Sequence, residues 1–103
     1  RPGLLYTITR ALFQSGLSVD LAKIATHFDQ VVDVFYVTDN AGQKINQEAR
    51  QDTIQTRLST DLAEFEDANH KEFVSQSVVR LLVAAPSAAM NRMNAVTTTT
   101  TGK

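Results

Sequence analysis

His27 and His70 are the only imidazoles in the sequence; they stand 43 positions apart, and no cysteine is present to complete a ligand set. A zinc site needs three or four such ligands brought together, so both read as surface histidines. Asp61, Glu64, Glu66 and Asp67 concentrate negative charge, but without the alternating oxygen ligands and turn glycine of a calcium loop. They read as the solvated end of a helix. No glycine-rich phosphate loop or nucleophile elbow occurs, and no spacing of Ser, His and Asp suggests a triad. The sequence thus carries no recognisable catalytic constellation, and no metal or cofactor is expected.

The remaining feature with chemical potential lies in "RPGLLYTITRALFQSGL". Pro2-Gly3 leads directly into an amphipathic run, where the first turn of a helix leaves backbone N–H groups free and points its positive dipole end outward. Such a turn can receive a carboxylate. It can equally be a helix start and nothing more, since proline is favoured there. The residues alone leave both readings open.

The elements that would hold this turn follow from periodicity. Leu5, Ile8 and Leu12, with Leu4 and Ala11 beside them, give helical spacing, and Gly16 stands at the natural stop. In "LSVDLAKIATH", Leu17, Val19, Leu21 and Ala25 share one parity, as in a strand with one buried face, and Lys23 breaks the pattern. "HFDQ" reads as a hairpin turn. "QVVDVFYVTD" is apolar at both parities, so it predicts a strand covered on both faces, the second by another layer, domain or chain. "DNAGQK" is a turn begun by Asp39 or Asn40, with Gly42 in the difficult backbone angle. A second helix follows, with Asn46 as its N-cap, Ile54, Leu58, Leu62 and Phe65 as its apolar stripe, and Gln47, Glu48, Arg50, Gln51, Gln55 and Arg57 on its wet side.

Beyond it, "NHKEFVSQSVVRLLVAA" does not alternate. Phe73 or Val74 with Val78, Leu81, Leu82 and Ala85 falls on one helical side, and Asn69 with Glu72 stands in capping-box order, so residues 67–85 predict a helical extension. From Pro86, "PSAAMNRMNAVTTTTTGK" is small, polar and repetitive. Residues 86–103 predict a disordered tail.

The 103 residues suffice for one small domain, and the formal net charge is −1. This balance argues against nucleic acid or an anionic membrane as the main partner, since both call for a basic stripe. Phe35 and Tyr36 are adjacent and point to opposite faces, unlike the aromatic platform of a ferredoxin-like RNA binder. No apolar run reaches the roughly 18 residues of a membrane span, and a cytoplasmic location is expected.

Residues 1 to 65 carry a resemblance. "RPGLL" at the turn, "LAKIAT" in the second strand of the family's series and "VVDVFYVTD" in the third resemble an ACT domain, and more narrowly the C-terminal ACT repeat of uridylyltransferase-type enzymes of nitrogen signalling. The resemblance implies an α+β, ferredoxin-like βαββαβ fold: a four-stranded antiparallel sheet with two helices on one face. Here the first strand, central in the family's sheet, is missing from the series. The expectation is therefore a fragment, with residues 1–66 forming an N-terminally truncated ACT domain. The edge of "VVDVFYV" would stay unpaired unless another chain or the tail pairs there.

The resemblance further implies a sensor of small ligands, usually amino acids, bound where the turn before helix one meets a strand of a neighbouring domain. For the uridylyltransferase group the implied ligand is glutamine. Carried over, Arg1, Pro2, Gly3 and Leu4 form the turn, and Lys23, Ile24 and Ala25 lie on the strand a neighbour's ligand approaches. The implied partners are a second ACT domain in the same chain or a homodimer mate. The implied parent is a nucleotidyltransferase whose catalytic halves lie outside these residues. The alternatives are a purely architectural ACT pairing module and an ACT domain of another protein with a different small ligand.

Overall fold

The computed structural model describes residues 4–27, 30–69, 75–85 and 87–102. Helix α1 spans Leu4–Gln14 because Ile8, Ala11 and Leu12 recur at helical spacing, and all three are buried. It ends where Gly16 takes a φ of +79°, the left-handed cap that costs an L side chain most. Strand β1 (Leu17–His27) returns antiparallel to β2 (Gln30–Asp39), from Leu17 opposite Asp39 to His27 opposite Gln30. The next turn is fixed by Asp39, whose Oδ1 accepts from the N–H groups of Ala41 and Gln43, while Gly42 at φ +79° donates to the Asp39 carbonyl.

Helix α2 (Glu48–Asn69) lays Ile54, Leu58 and Leu62 into the core, with Phe65 partly buried at its end. Burying each of these aliphatic side chains is worth about 1.5–3 kcal/mol. The Gln51 N–H donates to the Gln47 carbonyl, so Gln47, not Asn46, stands at the cap position, one residue later than the sequence predicted. The wet side is also less wet than expected. The Gln55 side chain reaches strand β3 (Ser75–Leu82), donating to the Val79 carbonyl and accepting from the Leu81 N–H. One amide thus occupies backbone groups along the outer edge of that strand.

Two expectations for the last third are overturned. The predicted helical extension is β3, and the predicted disordered tail contains a short 3₁₀ turn (Ala88–Met90) and a nine-residue strand, β4 (Asn94–Gly102). Asn69 closes α2, and residues 70–74, including the Glu72 of the expected capping box, lie outside the described residues. The sheet order is β1-β2-β4-β3, all antiparallel. The tail therefore fills the central place that the resemblance assigned to a strand preceding α1.

The helical spacing of "SVVRLLVAA" arises because both faces of β3 are used. Val79 and Leu81 face the helices, whereas Leu82 joins Tyr36, Ala95, Met90, Met93 and Ala85 in a second cluster on the other face. The covering layer expected over part of β2 is thus supplied by the chain's own 83–93 segment. Polar composition misled for β4 because threonine, though poor at core building, is β-branched and suits a strand with a neighbour on each side. Its anchors are Ala95 and Val96, both fully buried.

Candidate functional site

The seven residues implied as a ligand site fall in two places. Arg1, Pro2 and Gly3 lie outside the described residues, and Leu4 is the first residue of α1. Lys23, Ile24 and Ala25 lie together on β1, opposite Val34, Asp33 and Val32. Among the described residues β1 is an edge strand, paired only with β2, so its outer backbone groups face away from the sheet. An edge of this kind can receive another chain or a ligand held by one.

A bulge sets the aim of this segment. The register shifts between Val19 and Leu21, leaving Asp20 as the extra residue. Before the bulge, odd β1 positions stand opposite odd β2 positions; after it they stand opposite even ones. Lys23 is therefore on the face of Val34, away from the helices, and is exposed. The break it makes in the sequence alternation is the signature of the bulge.

Beneath the segment lies a residue that the sequence pattern did not single out. Asp33, opposite Ile24, is only 3% exposed on the helix-covered face of the sheet. Its Oδ2 accepts a long hydrogen bond from the Thr98 hydroxyl at 3.5 Å, and its Oδ1 has no partner among the described residues. Burial pushes its carboxyl above the usual value, against a smaller opposite pull from Thr98. The available signal was an acid inside a run apolar at both parities, residues 31–37, where an ionisable side chain must go inside or disrupt the pattern.

The seam between the two helices gives no room for a ligand. Thr7, Ile8, Ala11, Leu58, Leu62 and Val79 close over a gap too small to admit a water molecule. Among the described residues no three His, Asp or Glu side chains converge as a metal site, and no helix is long and apolar enough to cross a membrane.

Comparison with known proteins adds an independent line. No protein-family model and no solved structure matches the chain. Curated proteins do match. The bifunctional uridylyltransferase/uridylyl-removing enzyme of Ruegeria pomeroyi is 47% identical over 64 residues, 62% of this chain and 7% of the relative. That of Novosphingobium aromaticivorans is 48% identical over 58 residues, 56% of this chain and 6% of the relative. That of Azospirillum brasilense is 45% identical over 64 residues, again 62% and 7%. The chain thus spans less than a tenth of the length of these relatives. Over more than half of its own length, this α+β domain is similar to a short segment of bifunctional uridylyltransferase/uridylyl-removing enzymes.

Proposed function

We propose that the chain is a regulatory, amino-acid-sensing ACT module of a uridylyltransferase-type nitrogen-signalling enzyme, and that its ligand is glutamine. The observation that carries this reading is the identity of 45–48% to segments of enzymes that bear that name. In the proposal, the turn Arg1-Pro2-Gly3-Leu4 of one domain offers backbone N–H groups to the ligand's polar end. The edge segment Lys23-Ile24-Ala25 of a neighbouring ACT domain closes over it. Ligand binding favours one arrangement of the two domains and so biases nucleotidyl transfer elsewhere in a cytoplasmic parent.

Calorimetric titration of glutamine into this chain joined to its neighbouring domain tests the reading. A saturable heat with glutamine that is absent with an unrelated amino acid is expected. No heat into the millimolar range contradicts it.

A second reading is a scaffold that pairs domains and binds nothing small. It draws on the open sheet face, where Val78 on β3 is 57% exposed and Val32 and Val34 on β2 are half-buried, with β4 between the two strands. Gly3→Trp separates the two. A sensor loses its ligand response and a scaffold keeps its pairing.

A further inference from the structure

A cleft of about 360 Å³ opens where β2 ends and α2 begins, lined by Asp39, Lys44, Ile45, Asn46, Gln47 and Arg50. Its size is within the range of small-ligand sites. It is separate from the 23–25 segment: Asp39 lies five residues along β2 from Val34, the partner of Lys23, about 17 Å away at strand rise.

The charges in the cleft do not balance internally. Lys44 and Arg50 are both half-buried, and neither is ion-paired with a carboxylate among the described residues. Lys44 Nζ is aimed by two neutral acceptors, the Asn91 carbonyl at 2.6 Å and Asn91 Oδ1 at 3.2 Å. Arg50 spends one donor on a long contact of 3.4 Å to the Gly16 carbonyl, of the five its guanidinium carries. The one acid in the lining, Asp39, has its Oδ1 committed to the turn N–H groups of Ala41 and Gln43.

The walls are held firmly. Buried Asn94 accepts from the Ile45 N–H at 2.8 Å and donates to the Ile45 carbonyl at 3.1 Å. Gln51 donates to the same carbonyl at 2.8 Å. Two cationic residues in the lining of a braced cleft are suited to a planar or tetrahedral oxyanion, and a guanidinium can grip either in two places. The first turn of α2 adds its positive end to the same space.

We infer that this cleft is a second ligand site, taking the carboxylate or phosphate group of a small molecule between Lys44 and Arg50.

Titration calorimetry of the full chain at low salt, with inorganic phosphate and separately with succinate, tests this. At least one probe is expected to bind saturably with one site per chain, and which one does so identifies the group. Lys44→Gln and Arg50→Gln are each expected to weaken binding about tenfold. Arg80→Gln, the same charge loss at an exposed position on β3, leaves it unchanged. Because Arg50 also touches Gly16, Lys44→Gln is the deciding variant if Arg50→Gln fails to fold. The inference is overturned if neither probe gives saturable heat up to about 10 mM. It is equally overturned if Lys44→Gln binds as the parent does, or if Arg80→Gln weakens binding as much.

Discussion

Asp33 and Asn94 show how differently two buried polar residues act in one sheet. Asp33 is held with an oxygen that no described residue bonds, and its raised pKa has a definite consequence for stability. The folded state binds a proton more readily than the unfolded chain does. The protein therefore loses stability as pH rises from the ordinary value of 3.8 through the raised one, and stays without that contribution at neutral pH. Asp33→Asn, which cannot ionise, is expected to abolish this loss. Urea midpoints measured from pH 4 to 7 should fall for the parent relative to the variant; parallel profiles would contradict the assignment.

Asn94 is the opposite case, wholly buried with its amide bonded to both backbone groups of Ile45. Asn94→Ala leaves that N–H without a partner, while the carbonyl keeps its bond from Gln51, and should cost about 1–3 kcal/mol, read from equilibrium unfolding. Neither role was legible in the sequence. Asp33 was one letter in an apolar strand, and Asn94 stood in a stretch whose composition pointed to disorder.

Among the elements, the first four along the chain were the legible ones. α1, β1, β2 and α2 appear where periodicity placed them, and the left-handed angles at Gly16 and Gly42 stand where a helix stop and a turn needed them. The 83–93 segment is what hid β3. By covering one end of the open face it lets Leu82 be apolar there while Val79 and Leu81 are apolar on the helix side, and the sum imitates helical spacing. β4 was hidden by its threonines, of which Thr98 is fully buried.

The central position of β4 makes a direct prediction for hydrogen exchange. The amides of 95–100 are paired on both sides, to β2 and to β3, so those in ladder hydrogen bonds should exchange with the slowest class in the protein. Exchange at the rate of an unstructured peptide would mean that the tail does not occupy the sheet.

At the scale of the whole molecule, the candidate site is legible only as far as the resemblance carries it. Pattern alone left Pro2-Gly3 as either a helix start or a ligand turn. The expected binding place lies between two domains, and no single chain's periodicity encodes a neighbour. What the fold contributes is a free β1 edge carrying Lys23, Ile24 and Ala25, and a helix seam too tightly packed to hold a ligand of its own.

The central claim is that a small amino acid is sensed at the α1 turn and this edge. Its most direct test is a two-dimensional NMR titration of glutamine into the labelled chain, joined to its neighbouring domain. Shifts concentrated at residues 3–4 and 23–25, saturating with one ligand per site, are the predicted result. An unchanged spectrum at millimolar glutamine, or shifts confined to other parts of the sheet, would contradict it.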